Sequence, residues 1–570
     1  MRFFQTLFLV VFVGMLSTAQ TNGVKPLYIN PVNIPVRLAG TFGELRANHF
    51  HGGIDIKTQQ VEGKPINVIA DGFVSRISIS PIGYGKTLYI EHTDGRTSVY
   101  AHLKDFNPII KSYTQKEQYS RESYAVELYP KRNELKVTQG DLISYGGNSG
   151  SSEGPHLHFE IRETAMQVPL NPLDYGFYVK DFIRPTISLI KVYPHGKQSQ
   201  VNKSFNASVF NLSGWGPNYR LRDYDTIQIA GLASFGITTY DLLNDESNKN
   251  GVKSIAFYID SVLVSGVQML RIPFDEGRYI NSLCDFEDYK VNKRRIVRTY
   301  IEPGNRLSLY TAREKKGVYF FEAGCTYFMK YVVIDFYDNV SVLRFVVKGT
   351  ESKDSLVCAP TVGELVSWNK DFEYKNNGII LNIPANSLYD SMYFNYTRKD
   401  SSPSYLTAFH LINEDLVAFH SSFSLRLKAD TIPVGFENKM IMVKIDEKGR
   451  PSAVDSKYEN AWVHAKLRGF GTYSIMLDTT APVIRPINIS QGKSVRQQSD
   501  IRIKISDNLS GVAKYRASLN SQWILMEYDP KNSLLTYYFD DKLKSGSNTF
   551  ALEVTDFKGN SRSIKLNITN

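Results

Sequence analysis

The chain has 570 residues, of which 42% are hydrophobic and 22% are charged. This length exceeds what one hydrophobic core supports, and this composition excludes a largely disordered chain, so we expect several folded domains. The net charge of +10 and the pI of about 9.0 come without a long block of Lys or Arg. This pattern argues against nucleic-acid binding and is compatible with anionic envelope polymers as partners.

The first residues have the pattern of a secretory signal peptide. Arg2 precedes an apolar run from Leu7 to Leu16, and small residues follow before a cleavage site after Ala19. The run is short for a bilayer span, so cleavage is favoured over a membrane anchor. We predict a signal peptide over residues 1–19, no integral membrane span after its removal, and a mature protein in the periplasm, cell envelope or extracellular space.

Residues 24–178 form the predicted chemical domain. Short alternating runs such as 87–92 and 97–102, separated by an Asp-Gly turn, predict antiparallel strands. From about 107 to 128 the pattern becomes polar and helical, which predicts a helical insertion that forms a wall of a groove. Six of the ten histidines lie in this domain: His49, His51, His92, His102, His156 and His158.

The rest of the chain has the pattern of β domains without a chemical motif. Short strands with turn residues at regular spacing are typical of β-sandwiches. Residues 333–339 and 554–560 are weakly similar to each other in sequence. The predicted fold class is therefore mainly β. We predict an immunoglobulin-like domain over 179–350, a β-rich domain over 351–477 and a second immunoglobulin-like domain over 478–570.

The chain has three cysteines, Cys284, Cys325 and Cys358. Export permits one disulfide among them, but the sequence does not decide the pairing. None lies near the histidine motifs, so we expect structural or free thiols rather than metal ligands.

Two short motifs predict a metal site. On a strand, His156 and His158 share a face, and so do His51 and Asp55, because side chains alternate with period two. Two histidines and one carboxylate are a set that Zn²⁺ accepts, with the fourth tetrahedral position left for water. Glycines beside both motifs permit close backbone approach. We take His51, Asp55 and His158 as candidate ligands of one Zn²⁺ ion, and hydrolysis is the leading hypothesis.

Two further histidines are candidates for proton transfer. His102 ends an alternating strand, and His156 lies two residues from the candidate ligand His158. Imidazoles titrate in the range needed to accept a proton from water, steady an oxyanion or protonate a leaving amine. The sequence does not decide which of the two performs which role. His92 precedes a turn and is expected to be structural, and His49 has a weaker claim to the site.

Together these motifs resemble the M23 (LytM, lysostaphin-like) zinc metallopeptidases over roughly residues 40–176. The matching stretches are His51-x-x-x-Asp55, Gly83-Tyr84-Gly85, Tyr100-Ala101-His102-Leu103, Gly147-Asn148-Ser149-Gly150, Gly154-Pro155-His156-Leu157-His158-Phe159-Glu160 and Asn171-Pro172-Leu173. The resemblance implies an open antiparallel sheet with a groove, zinc held by His51, Asp55 and His158, and catalytic roles for His102 and His156. Members of this family cleave peptide bonds in bacterial peptidoglycan. The insertion after His102 departs from the family pattern.

We therefore predict an exported zinc metalloendopeptidase that hydrolyses peptide bonds in bacterial peptidoglycan. Two alternatives stay open: a non-catalytic regulator or activator of other wall hydrolases, and a surface scaffold or adhesion protein that binds envelope proteins through its C-terminal β domains. All five site residues are present, which favours catalysis, because a binding module needs no complete metal site. The sequence does not reveal which peptide bond is cleaved.

Overall fold

The computed structural model describes residues 28–177, 179–352 and 363–570. Over these residues the chain consists mostly of β-strands in largely antiparallel sheets, so the predicted fold class is confirmed. The predicted signal peptide and Cys358 lie outside the described residues.

The N-terminal domain is built on one sheet in which the strands β1, β4, β12, β8, β7, β6 and β10 are neighbours in that order. A two-stranded hairpin, β2 and β3, stands beside it. The strands are β1 Leu38–Gly40, β2 Leu45–Arg46, β3 His49–Phe50, β4 Ile54–Lys57, β5 Pro65–Asn67, β6 Gly72–Ile79, β7 Lys86–His92, β8 Arg96–Phe106, β9 Val126–Leu128, β10 Lys136–Val137, β11 Leu142–Gly146, β12 His156–Glu163 and β13 Pro169–Leu170.

Alternation along β4 and β12 separates a core face from a polar face. Ile54 and Ile56 on β4 and Leu157 and Phe159 on β12 are fully buried in one hydrophobic core. Burying each of these side chains contributes roughly 1.5–3 kcal/mol. Because successive side chains point to opposite faces, the residues between them face the other side of the sheet. The hydrophobic core thereby fixes which face carries the polar groups.

The predicted helical insertion is the helix α1, Pro108–Arg121. It begins at Asn107, whose side chain accepts a hydrogen bond from the backbone N–H of Ile110, and proline suits its first turn. The prediction of a helix to residue 128 is wrong at its end, because the chain has returned to a strand at Val126–Leu128. The prediction of a groove wall is also wrong, since α1 contributes no side chain to the groove described below.

The second region, residues 179–352, forms another large sheet, in which β17 and β24 pair in parallel and the other neighbours are antiparallel. Its elements are β14 Thr186–Val201, β15 Ser208–Ser213, β16 Arg220–Leu221, β17 Thr226–Tyr240, β18 Ser254–Ile259, β19 Val262–Gln268, α2 Ile280–Leu283, α3 Phe286–Asn292, β20 Val297–Arg298, β21 Tyr310–Arg313, β22 Tyr319–Phe321, β23 Thr326–Ile334 and β24 Val340–Gly349. Cys284 is buried and Cys325 is exposed, and both are free thiols.

The third region begins at residue 363 and consists mainly of two five-stranded sheets that share one hydrophobic core. Its strands are β25 Glu364–Val366, β26 Phe372–Asn376, β27 Ile379–Ile383, β28 Met392–Phe394, β29 Tyr396–Lys399, β30 Phe409–Ile412, β31 Phe423–Lys428, β32 Met440–Ile445, β33 Pro451–Val454, β34 Ser456–Glu459, β35 Trp462–Leu467 and β36 Gly471–Leu477.

The fourth region is a sandwich of two four-stranded sheets around a common core. Its strands are β37 Val483–Pro486, β38 Asp500–Ser506, β39 Val512–Leu519, β40 Gln522–Trp523, β41 Glu527–Asp529, β42 Leu534–Tyr538, β43 Ser547–Asp556 and β44 Ser561–Thr569. Within the described ranges, no helix is long and apolar enough to cross a membrane.

The fourth region packs against the helical insertion α1 of the N-terminal domain. Tyr119 of α1 packs edge-on against Trp523 with ring centroids 5.2 Å apart, and its hydroxyl donates to Asp540. Nearby, the buried amine of Lys86 is 2.8 Å from a carboxylate oxygen of Glu527. The insertion therefore serves as an attachment surface between two regions that are far apart in sequence.

Candidate metal centre

Three candidate ligand atoms form a compact triangle at the centre of the polar face. His51 Nε2 is 3.1 Å from Asp55 Oδ1 and 3.0 Å from His158 Nδ1, and the latter two atoms are 3.0 Å apart. In a tetrahedral zinc site with bonds of about 2.0–2.1 Å, ligand atoms lie about 3.3 Å from one another. Two imidazole nitrogens and one carboxylate oxygen at these distances fit a zinc ion with little movement.

Strand pairing explains why these residues meet. Asp55 on β4 lies directly opposite His158 on β12 in the antiparallel register. His51 reaches the same point from the loop before β4, and Gly53 in that loop lies so close to β12 that an added Cβ would be 2.2 Å from the carbonyl oxygen of Phe159. A side chain at residue 53 would push the loop away, so glycine is needed here for close approach.

The triangle is buried and charged. His51, Asp55 and His158 are 2%, 5% and 3% exposed. Burial raises the pKa of Asp55, but its interactions with the imidazoles of His51, His156 and His158 outweigh burial and hold that pKa well below its usual range. Burial also lowers the pKa of His51. Asp55 is therefore an anionic ligand and His51 a neutral one at neutral pH, as zinc requires.

Glu160 orients His158 from the next position on the same face of β12. His158 Nε2 is 2.8 Å from Glu160 Oε1, which leaves Nδ1 for the triangle. Glu160 is fully buried, with Arg162 Nε 2.5 Å and the Tyr84 hydroxyl 2.5 Å away. Burial lowers the pKa of His158, but the hydrogen bonds to Asp55 and Glu160 raise it to about 9. A metal ion at this site would therefore displace a proton from His158.

The other two candidate ligands are also held in place. His51 Nδ1 is 2.8 Å from the carbonyl oxygen of Thr41, so Nδ1 carries the proton and Nε2 keeps the lone pair that can bind a metal ion. Asp55 Oδ2 accepts a hydrogen bond of 2.5 Å from Arg46 Nη2, which leaves Oδ1 for the triangle. Each candidate ligand thus presents one atom to the centre and uses another for support.

His102 reaches the site through an unusual backbone conformation. Its φ is 57°, in the left-handed region, next to an irregularity in the pairing of β8 with β7. Such strain in a residue other than glycine persists only where surrounding contacts enforce it, and it is concentrated at functional sites. His102 Nδ1 is 2.9 Å from the carbonyl oxygen of Ser149, and its ring is 4.9 Å from that of His156.

His156 is held in the same way from the other side. Its Nδ1 is 2.8 Å from the carbonyl oxygen of Gly154 and 3.2 Å from the hydroxyl of Ser152. Its Nε2 is 3.4 Å from Asp55 Oδ1, at the edge of the triangle. Both His102 and His156 therefore use Nδ1 to donate to a backbone carbonyl and keep Nε2 for the chemistry.

The site opens into a groove of about 1590 Å³. Its lining includes Tyr84 and other residues of the N-terminal domain, together with Phe274 and residues 246–248 of the second region. Glu246 in that loop pairs with Lys57 of β4, and Arg162 stacks on Phe274 with its guanidinium carbon 4.6 Å from the ring centroid. The groove is therefore shared between two regions.

The structure brings together all five residues that the sequence singled out. His92 is not among them. Its two ring nitrogens form hydrogen bonds with the carbonyl oxygen of Asp71 and the hydroxyl of Ser98, as expected for a structural histidine. His49 lines the groove, and its Nδ1 is 2.8 Å from the carbonyl oxygen of Ala47 in its own loop. Sequence reasoning did not predict the supporting roles of Glu160, Arg46 and Thr41. The period-two alternation of β12 was a signal for Glu160, because it continues the face of His156 and His158.

Two family models match the chain. That of peptidase family M23 matches residues 49–119, and that of the Zu5-like domain matches residues 363–478.

Curated relatives match the N-terminal part. A DD-carboxypeptidase/endopeptidase, Mpg, from Neisseria meningitidis serogroup B is 30% identical over 142 residues, which is 24% of this chain and 26% of the relative. An uncharacterised metalloprotease of Haemophilus influenzae is 30% identical over 22% of this chain and 20% of the relative. The chain thus spans about a quarter of the length of the curated relatives it matches.

Among solved structures, a zinc-containing peptidase from Vibrio cholerae is 25% identical over 25% of this chain and 37% of its own, with a TM-score of 0.19.

Proposed function

We propose that this chain, whose N-terminal domain belongs to peptidase family M23, is an exported zinc metalloendopeptidase that hydrolyses peptide bonds in bacterial peptidoglycan. The observation that carries the proposal is the triangle of His51 Nε2, Asp55 Oδ1 and His158 Nδ1 at the floor of a groove. The name of the Neisseria relative, a DD-carboxypeptidase/endopeptidase, supports wall peptides as the substrate class. The net charge of +10 favours residence near the anionic cell envelope.

His51, Asp55 and His158 are the proposed zinc ligands. A bound zinc ion supplies Lewis-acid polarisation and a hydrolytic nucleophile at neutral pH. Glu160 and Thr41 fix the ring orientation of the two histidines, so the ligands need little rearrangement.

His102 and His156 are the proposed catalytic histidines. Burial and the charges of His158 and His156 lower the pKa of His102 to about 3, so His102 is neutral at neutral pH and its Nε2 carries a free lone pair. Between them, the two Nε2 atoms accept the proton of the attacking water, steady the developing oxyanion and return a proton to the leaving amine.

The groove walls select an extended, narrow substrate. Phe274 and the loop 246–248 of the second region line the groove together with the N-terminal domain. The substrate proposed for this groove is a peptide stem of the wall polymer. The proposal therefore concerns the full chain rather than the N-terminal domain alone, and we propose that the remaining β regions bind envelope components, including partner proteins.

The test is a digest of purified sacculi by the zinc-loaded full chain, with the released peptides identified by mass spectrometry. We expect peptides with a new amino terminus, loss of release after chelation, and recovery on adding zinc. His464→Ala is the control variant and should release the same peptides as the unaltered chain, because it removes a half-buried imidazole of β35 that lies outside the groove. Intact sacculi and intact cross-linked muropeptides after incubation with the zinc-loaded chain would instead favour a non-catalytic regulator or scaffold.

A further inference from the structure

A second buried polar centre lies at the junction between the N-terminal domain and the second region. Asp181, Asp241 and Asp335, here called the junction acidic cluster, each offer a carboxylate oxygen, and these oxygens lie within 4.8 Å of one another. The three residues are 5%, 2% and 0% exposed. Three carboxylates so close together and so deeply buried repel one another unless a positive charge lies between them.

Among the described residues, no basic side chain compensates these carboxylates. Asp181 Oδ2 and Asp241 Oδ1 are buried and have no hydrogen-bond partner. In residues 28–177, 179–352 and 363–570, no Lys, Arg or His forms an ion pair with any of the three. Burial and the neighbouring charges of Asp335 and Asp181 raise the pKa of Asp241 to about 9. Buried carboxylates that lie this close together and keep oxygens without a partner indicate a ligand among them.

Each aspartate of the cluster is placed by a different element. Asp181 lies in the segment before β14, and Asp241 and Asp335 are the first residues after β17 and β23. Asp335 is held in place by the backbone: its Oδ1 accepts hydrogen bonds from the N–H groups of Tyr337 and Asn339 at 2.7 and 2.9 Å. A site assembled from three segments holds its geometry through the fold and not through one flexible loop.

The same arrangement occurs a second time in the chain. Asp478, Asp507 and Asp556 also bring carboxylate oxygens within 4.8 Å, and they occupy corresponding places around the fourth region. In both clusters the first aspartate stands four residues before a proline and the third four residues before an asparagine: Asp181 and Pro185, Asp478 and Pro482, Asp335 and Asn339, Asp556 and Asn560. Two separate domains thus carry the same arrangement of three aspartates. The packing of their different hydrophobic cores does not require this arrangement.

The second cluster is partly compensated by the protein. The charges of Asp478 and Asp556 act on the amine of Lys558, and Asp478 Oδ2 accepts a hydrogen bond of 2.9 Å from the backbone N–H of Ser510. The junction acidic cluster has no such lysine, and this difference makes it the stronger ion site of the two.

We propose that the junction acidic cluster binds a calcium ion. The three ligand atoms that the cluster offers are carboxylate oxygens, which suit a hard cation rather than zinc or copper. Calcium accepts six to eight oxygen ligands in flexible geometry, so three carboxylates from separate segments, completed by water or backbone oxygens, are an adequate set. The affinity expected for a module outside the cell is about 10⁻⁴–10⁻³ M.

The position of the ion gives it a structural role at the catalytic groove. Val179, Leu243 and Tyr337, each two residues from a member of the cluster, pack against the core of the N-terminal domain. Five residues beyond Asp241, Glu246 pairs with Lys57 at the groove. Calcium would therefore fasten the second region to the N-terminal domain and steady the loop 246–248, which lines the groove.

The test measures calcium binding and thermal stability of the full chain. Metal is removed with a chelator, one equivalent of zinc is restored, and CaCl₂ is added in a calorimetric titration and in a thermal unfolding series. At about ten times its dissociation constant we expect calcium to raise the unfolding temperature of this part of the chain by about 2–6 °C. In Asp241→Asn we expect one fewer calcium ion bound per chain and loss of this shift.

The matched control is Asp338→Asn in the same loop as Asp335. Asp338 is exposed, pairs with Lys253 outside the cluster and has a φ of 64° that asparagine tolerates well. We expect this variant to keep the calcium response. Without calcium, Asp241→Asn should be at least as stable as the unaltered chain, because asparagine is a neutral side chain of the same shape and replaces a carboxyl whose ionisation is disfavoured beside Asp181 and Asp335.

Several results would overturn the calcium site. These are no calcium-dependent heat or thermal shift in the unaltered chain, an unchanged calcium stoichiometry in Asp241→Asn, or equal destabilisation of that variant with and without calcium. If Asp241→Asn does not fold, Asp181→Asn replaces it with the same expected outcomes. The variant His158→Ala should keep the calcium response, so failure of the proposed zinc chemistry and failure of the calcium site are distinguishable.

Discussion

Two regions of this protein bury a histidine completely and give it opposite properties. In the N-terminal domain, His158 lies between Asp55 and Glu160, and these carboxylates raise its pKa to about 9. In the third region, His410 contacts the hydroxyls of Tyr396 and Thr407 at 2.9 and 3.2 Å. Burial, aided by the charge of Arg398, lowers the pKa of His410 to about 4.

The difference lies in the partners and not in the depth of burial. A buried imidazole with neutral partners stays neutral and serves packing, because the protein interior disfavours its charged form. A buried imidazole between carboxylates is held in an electrostatic environment that also suits a cation such as zinc. The four predictions below test this comparison, beginning with the largest expected effect.

Replacing His158 by alanine should remove zinc and activity together. The change deletes one of three proposed ligands and leaves Asp55 and Glu160 without their shared partner. We expect zinc content, measured by elemental analysis, to fall below one-tenth of an equivalent, and peptide release from sacculi to fall to the level without enzyme. Normal activity with a full equivalent of zinc would contradict the ligand assignment.

Replacing His102 by alanine should separate metal binding from turnover. His102 holds no atom of the ligand triangle, so zinc content should stay at one equivalent. Loss of a group that transfers protons should lower kcat by about 10²–10⁴-fold. Single-turnover kinetics with a defined muropeptide checks this, and unchanged kcat would exclude His102 from catalysis.

Replacing Glu160 by glutamine should weaken zinc binding without removing the site. Glutamine keeps the shape but loses the charge that orients His158 and pairs with Arg162. We expect zinc affinity to fall by about 10–100-fold, as for other supporting carboxylates of metal sites. Competition with a chromophoric chelator measures this, and an unchanged affinity would mean that ring orientation comes from packing alone.

The stability of the third region should depend on pH through His410. Its folded pKa of about 4 lies below the unfolded value of about 6.5, so the unfolded chain binds more protons between these values. The contribution of neutral His410 to stability is therefore fully present above about pH 6.5 and is lost as the pH falls towards 4. Between pH 7 and pH 5 the expected loss is about 2 kcal/mol.

Hydrogen exchange of strand β30, which contains His410, reports the free energy of local opening at both pH values. His410→Gln keeps a polar partner for Tyr396 and Thr407 but does not titrate in this range. We expect the pH-dependent loss in β30 to shrink in this variant. An equal loss in both proteins would assign the effect to other groups.

Much of the site could be predicted from the sequence because its main signal is local. Side chains two residues apart on a strand share a face, so the shared orientation of His156 and His158 follows from spacing alone. The prediction that His51 and Asp55 share a face of one strand is wrong, because His51 lies in the loop before β4 and reaches Asp55 from there. Glu160 continues the same alternation and was within reach of the same argument. The left-handed φ of His102 was not, because the conformation is enforced by contacts with distant segments and leaves no mark on a non-glycine residue.

The helical insertion illustrates the other limit. Its polar, helical pattern predicts that a helix is present, which α1 confirms, but places the end of the helix too late. Its partner could not be predicted, because the docking of Tyr119 on Trp523 joins residues about four hundred positions apart. The wall of the groove comes instead from Phe274 and the loop 246–248, which carry no motif.

The sequence by itself determined the mainly β fold class, the chemical character of the N-terminal domain and the five residues of the candidate site, since strand periodicity and metal-ligand chemistry are properties of neighbouring residues. The tertiary structure alone decided the 3.0–3.1 Å spacing of the ligand atoms, the sharing of the groove between two regions and the convergence of Asp181, Asp241 and Asp335. These features depend on which strands pair and which domains pack together, and burial of distant apolar side chains sets both.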